Sequence, residues 1–192
     1  MADRMRVANL FTAVRLILAL PAALAFAQPE LMSPLLLLAI VITAIATDFA
    51  DGVVARKTHT ASPRGLLFDH TTDFLFVTSG LAGAAFAGLL SAALPLLVVV
   101  AFSQYVLDSY WLHRDKQLRM SVLGRWNGIL YFVPLGVIAV SRLGIVPGSA
   151  DLWAMLVGSI SYALLISTVL SIIDRAVAPL RAGRDQASGP TE

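Results

Sequence analysis

The sequence contains no cysteine. That one absence excludes disulfides, thiolate nucleophiles, iron–sulfur clusters and cysteine-ligated zinc. Charge is scarce as well, at 14% of 192 residues, where a soluble domain carries about 25%. Glutamate is nearly missing: ten of the twelve acidic residues are aspartate. In place of charge, 58% of the residues are hydrophobic and the mean hydropathy is +0.80. A water-soluble globule and a disordered chain are both excluded by this balance. At roughly 20 residues per crossing, the chain has room for six or seven membrane spans and none for a separate soluble domain.

The apolar runs fall at Ala8–Ala27, Pro34–Val54, Leu66–Leu90, Leu94–Leu112, Ile129–Val146 and Leu152–Ile173. They are long enough for helices and too uniformly apolar for the alternating strands of a membrane barrel. The expected fold is therefore an all-α bundle of six transmembrane helices over residues 1–180, followed by a disordered tail from 181 to 192. Arg4 and Arg6 ahead of Ala25-Phe26-Ala27 imitate a signal peptide. Asn9, Thr12 and Arg15 interrupt its apolar stretch, so a retained first helix is expected.

An alternating path puts twelve basic residues on one side and only Arg142 on the other, with Arg15 inside the first span. The positive-inside rule then places both termini and the loops around 57–64 and 113–124 in the cytoplasm. The expected setting is a multi-pass protein of a bacterial-type inner membrane, surrounded by membrane lipids and with no nucleic-acid partner.

Four aspartates sit where an apolar span should exclude them: Asp48 and Asp51 in the second run, Asp69 and Asp73 in the third. Each would cost about 2.5–3.5 kcal/mol at a helix centre on insertion scales, and four together repel one another. Asp48 and Asp51 are three residues apart and Asp69 and Asp73 four, so each pair shares a helix face. A short loop makes the two helices antiparallel neighbours, and all four carboxylates converge near the cytoplasmic surface. Oxygen-only ligands suit Mg²⁺ or Mn²⁺, with Ca²⁺ also compatible. Four carboxylates suffice for two ions with bridging ligands, as in phosphoryl displacement. The alternative, solvated helix-end charges, accounts for one such aspartate but not for two helical pairs.

Between the pairs, Gly52 and Ala55 keep one face small, Arg56 supplies a cationic fork for phosphate, and Gly65 leaves helix N-terminal amides open to an anion. Metals, arginine and small residues describe a diphosphate site. The stretch resembles the signature of the CDP-alcohol phosphotransferase (phosphatidyltransferase) family, D-x-x-D-G-x-x-A-R-x(8)-G-x-x-x-D-x-x-x-D, with all eight fixed residues at their spacing between Asp48 and Asp73. The opening Asn9-Leu10-Phe11-Thr12-Ala13-Val14-Arg15 is similar to the family's first helix.

The resemblance implies transfer of a substituted phosphoryl group from a CDP-linked donor, commonly CDP-diacylglycerol, to a small alcohol, with release of CMP, in phospholipid biosynthesis. It implies a metal site of Asp48, Asp51, Asp69 and Asp73 holding Mg²⁺ or Mn²⁺, two ions being expected, with Asp73 also the base for the acceptor hydroxyl. It gives CDP contacts to Gly52, Ala55, Arg56 and Gly65, and a homodimer as assembly. Asn9, Thr12 and Arg15 form a polar stripe that either lines the nucleotide pocket or is an interhelical hydrogen-bond seam.

Arg119 and Arg125 are the acceptor-binding candidates, suited to a phosphorylated polyol such as glycerol 3-phosphate; topology and lipid-headgroup attraction are the competing explanation for these cations. Relatives using that acceptor often read Gly-Lys-x-x-Thr here, where this chain has Gly124-Arg125-Trp126-Asn127-Gly128. Asp108 either touches acceptor hydroxyls or pairs with Arg114 or Lys116. His70 points about 100° away from Asp69 on a helix and is not expected to ligate. Ala82, Gly83, Ala84, Ala87 and Gly88 offer a small-residue surface either for dimerisation or for packing inside one protomer.

Two rival functions stand beside this one. An intramembrane prenyltransferase also holds metal and diphosphate on aspartate pairs, but Asp108, Asp115, Asp151 and Asp174 form no second acidic motif. An ion transporter would place its charges at the midplane and show internal repeats, and the sequence has neither feature.

Overall fold

The computed structural model describes residues 2–58, 63–107 and 122–187. These residues form helices and no strands: α1 (Ala2–Ala27), a 3₁₀ turn (Pro29–Leu31), α2 (Pro34–Thr58), α3 (Pro63–Phe86), α4 (Ala93–Leu107), α5 (Val122–Leu130), α6 (Phe132–Ser141) and α7 (Ala150–Ala187). Each of the six apolar runs falls largely on a helical segment when α5 and α6 are taken together. Two stretches, Leu123–Ser141 and Ala150–Val177, are long and apolar enough to cross a membrane; Thr12–Ala27, Pro34–Ala50 and Ala93–Leu107 are shorter apolar helices.

Local chemistry moves several boundaries. α2 begins at Pro34, which needs no N–H partner in a first turn, after Ser33, whose Oγ accepts from the Leu36 amide at 3.4 Å. α3 stops four residues short of the apolar run. Gly88 adopts φ +72°, the Leu89 amide donates to Ala84 and the Gly88 amide to Ala85, each at 3.0 Å. This is the Schellman arrangement that glycine permits. The fifth segment already includes Val122–Leu130 and ends at Ser141, short of the expected Val146, because Gly144 at φ +63° closes the helix before the apolar Ile145 and Val146. α7 continues to Ala187, past Arg181, so the first residues of the expected tail are helical.

Packing centres on α1, which lies most extensively against α3 and next against α2; α2 and α3 both reach α6, and α7 contacts α4, α5 and α6. The core is apolar and tight, with Phe26, Leu37, Phe76, Leu81, Leu94 and Leu135 fully or almost fully buried. Gly83 and Ala84 are buried: a Cβ on Gly83 would stand 2.2 Å from the Ala23 carbonyl oxygen. That part of the small-residue surface therefore serves the α1–α3 contact inside the protomer. Ala82, Ala87 and Gly88 remain exposed.

Outside the core, large apolar side chains point outward along the helices, among them Ile17, Leu20, Phe49, Phe86 and Tyr162. A soluble monomer rarely shows so much contiguous apolar surface. Arg142, the one basic residue assigned to the far side, has a structural task there. Its guanidinium donates to the Ala25 and Phe26 carbonyl oxygens at 2.6 and 2.8 Å, satisfying the open carbonyls at the C-terminus of α1 and opposing its dipole.

Candidate active site

The N-terminal half of α1, the C-terminal end of α2 and the N-terminal end of α3 meet at one end of the bundle. Three of the four motif aspartates converge there. Asp48, Asp69 and Asp73 each offer a carboxylate oxygen within 4.8 Å of the others. Among the described residues, α2 and α3 are not the close neighbours that the short connection suggests: α1 packs against both and so brings together residues 21 to 25 apart in sequence, while the four-residue spacing keeps Asp69 and Asp73 on one face.

Arg15 enters this group from α1. Its side chain is completely buried, with Nη1 3.2 Å from Asp48 Oδ1 and Nη2 2.6 Å from Asp69 Oδ1, and it also forms an ion pair with Asp73. Neighbouring carboxylates at such separations repel by about 3–4 kcal/mol per pair at an effective dielectric near 20, less for Asp48, which is 42% exposed. A guanidinium with several donors is well shaped to offset this. It does so incompletely: among the described residues one positive charge faces three negative ones. The buried Asp73 Oδ1, although ion-paired, has no aligned hydrogen-bond donor. Among the described residues, an all-oxygen donor set that carries more negative charge than one guanidinium offsets suits a hard divalent cation.

The remaining sequence candidates separate into three groups. Thr12 is buried one turn before Arg15, so these two members of the polar stripe on α1 face the bundle interior. Asp51 lies one turn beyond Asp48 on α2, followed by Gly52, Ala55 and Arg56, and Gly65 occupies the first turn of α3; their side chains, like that of Asn9 on α1, are outside the described part of the structure. Arg119 and Asp108 lie outside the described residues.

Arg125 is not in a loop, as hydropathy suggests, but on α5, exposed to solvent. That helix packs against α6 and α7, and Arg125 is not among the side chains gathered at the carboxylates. The neighbouring Asn127 is buried and accepts from Ser167 Oγ at 2.6 Å, while Tyr131 and Thr168 share a hydroxyl hydrogen bond at 2.7 Å. These polar residues tie α5 and α6 to α7. The ring of His70, between two of the aspartates, stacks on Tyr105 with centroids 6.3 Å apart. Arg175 on α7 completes this side, with its guanidinium carbon 5.2 Å from the Tyr105 ring centre.

That Arg15 is the shared partner of three aspartates emerges only from the structure, although the sequence holds a signal for it. An arginine inside an apolar span must find counter-charges, and the motif aspartates are the acidic residues available in the adjacent spans.

The chain matches the family model of the CDP-alcohol phosphatidyltransferases over residues 5–173. No curated protein and no solved structure matches the chain. The matched range includes all but the first residues of α1, α2 to α6, most of α7 and the whole aspartate motif.

Proposed function

The chain belongs to the CDP-alcohol phosphatidyltransferase family and is a transferase of that kind, and we propose that it moves a phosphatidyl group from CDP-diacylglycerol to a small alcohol in a divalent-metal-dependent reaction of phospholipid biosynthesis. The observation that carries this reading is the convergence of Asp48, Asp69 and Asp73 within 4.8 Å, at the spacing of a complete diphosphate motif.

In this reading Asp48, Asp51, Asp69 and Asp73 hold one or two Mg²⁺ or Mn²⁺ ions. When bound, the metal neutralises the donor diphosphate and stabilises CMP as leaving group. Gly52 and Ala55 let the nucleotide approach α2, Arg56 pairs with its phosphates, and Gly65, Asn9 and Thr12 border the same pocket. Asp73 accepts the proton of the acceptor hydroxyl. The hydroxyl oxygen bonds to the phosphatidyl phosphorus, and the bond from that phosphorus to the CMP oxygen breaks, CMP leaving with the electron pair. The membrane setting suits the donor, whose acyl chains need lipid and whose cytidine needs water.

We further read residues 1–180 as one six-span membrane domain whose site end faces the cytoplasm, and the family resemblance as pointing to a homodimer. The twelve-to-one distribution of basic residues supports the orientation. Because the chain has no cysteine, a single cysteine at Thr60 can report it without background. In intact cells it should resist a membrane-impermeant maleimide and react once the membrane is opened; labelling in intact cells would reverse the orientation.

The acceptor is tested directly. Purified protein with CDP-diacylglycerol and metal should release CMP with at least one member of a panel of glycerol 3-phosphate, inositol phosphate, inositol, serine and phosphatidylglycerol. A phosphorylated acceptor is the favoured outcome, with Arg119 and Arg125 binding its phosphate. Arg125 is exposed and on a helix, so its replacement should spare the fold. Arg125→Ala should then raise the acceptor KM by roughly tenfold and leave the donor KM nearly unchanged, the pattern of lost uniform binding. Unchanged acceptor kinetics would remove Arg125 from the site while leaving the donor chemistry intact.

A further inference from the structure

Resting on the metal-dependent reading above, we infer that Arg15 is the resident counter-ion of the carboxylate cluster, and that a divalent cation binds by displacing its guanidinium. Three observations lead there. The side chain is fully buried, so it has no solvent to stabilise its charge. It is the shared cationic partner of Asp48, Asp69 and Asp73. And those are the same residues whose oxygens come within 4.8 Å of one another.

A hard divalent ion needs carboxylate oxygens at about 2.0–2.6 Å, and guanidinium N–H groups at 2.6 and 3.2 Å already occupy oxygens of the same carboxylates. Both cations cannot hold the oxygens in that geometry, and their mutual repulsion in a buried setting is strong. Metal binding and withdrawal of the guanidinium are thus one exchange. The consequence for folding is that three partly buried carboxylates can be held together before any metal is present. The consequence for selectivity is that a monovalent ion, with no more charge than arginine and none of its directed hydrogen bonds, has little to gain by replacing it. A divalent ion brings the second charge that the cluster lacks.

The exchange has a signature that a purely structural arginine lacks. If the cluster is free of guanidinium only about a tenth of the time, the apparent metal affinity is lowered about tenfold, and removing the guanidinium restores it. The test uses the full chain in detergent micelles, with Mn²⁺ binding followed by the electron paramagnetic resonance of the free ion and thermal unfolding followed in EDTA and in Mn²⁺.

Arg15→Gln should bind Mn²⁺ about tenfold more tightly than wild type. It should melt well below wild type in EDTA and recover most of that deficit in Mn²⁺. Unchanged or weaker Mn²⁺ affinity, or a melting deficit of equal size in both conditions, overturns the inference and makes Arg15 a structural strut. Should Arg15→Gln fail to accumulate, Arg15→Lys carries the same test. It keeps the charge but loses the fork, so Mn²⁺ should bind more tightly by a smaller factor, and unchanged or weaker binding overturns the exchange. Asp69→Asn tells this failure from that of the underlying reading. If it binds Mn²⁺ as well as wild type does, or if neither wild type nor Arg15→Gln binds the ion, the cluster is not a metal site and the exchange falls with it.

Discussion

Asp48→Asn, Asp51→Asn or Asp69→Asn is expected to reduce CMP release from a CDP-linked lipid to background, and excess EDTA to do the same to the wild-type chain. Each substitution is nearly isosteric and removes one negative charge from a group in which every carboxylate matters. Loss of transition-state electrostatic stabilisation of this kind costs on the order of 10²–10³ in kcat per group, and loss of the metal itself costs more. Asp73→Asn should mainly lower kcat, since it removes the proposed base as well as a ligand. Folding is not expected to fail. Asn retains a carbonyl acceptor for Arg15, and relieving one like-charge contact offsets part of the lost ion pair. The assay is release of labelled CMP with and without added Mg²⁺ or Mn²⁺, alongside a melting curve. Full turnover in excess EDTA would sink the metal site; lost activity together with a collapsed melting curve would mark the aspartates as structural.

The second large effect concerns stability and lies far from the carboxylates. Gly83→Leu should prevent assembly of the native bundle, and even Gly83→Ala should destabilise it. A Cβ at this position meets the Ala23 carbonyl oxygen at 2.2 Å, its carbon at 3.1 Å and the Phe26 Cβ at 3.2 Å. The obstacle is helix backbone, which cannot rotate away as a side-chain tip can, so α1 and α3 must separate. Over-packing of a close-packed interior costs roughly 1–3 kcal/mol, and a branched side chain here exceeds what small shifts absorb. Because the same α1–α3 contact positions Arg15 against Asp69 and Asp73, activity should fall with stability. Gly158→Ala is the matched control: its added Cβ has nothing within 4 Å, and alanine gains about 1 kcal/mol of helix propensity over glycine. Melting temperatures in detergent decide the matter. A Gly83→Ala chain as stable as Gly158→Ala would mean that α1 and α3 are not in this close contact.

Local pattern is enough to specify the helical class, the position of most helices and the identity of the aspartate motif. Long apolar runs read as helices wherever they fold, and a helix face is set by spacing alone, so Asp69 and Asp73 share one in any tertiary context. The site's donor chemistry is legible for the same reason, because eight fixed residues at fixed spacing already imply metal, diphosphate and arginine.

Helix ends are less legible. The apolar run continues through Leu89 and Leu90, and only a glycine in left-handed conformation at 88 stops α3 at Phe86. Likewise hydropathy places Arg125 outside a span, although it lies on α5, because a charged residue lowers hydropathy without breaking a helix. Which distant residues meet is settled by tertiary packing alone. That Arg15 shares its charge among three aspartates 33 to 58 positions away, that Gly83 rather than its neighbours takes the helix contact, and that Arg142 caps α1 all depend on how helices rotate and cross. Rotation is set by the fit of many side chains at once, and no single stretch of sequence contains that information.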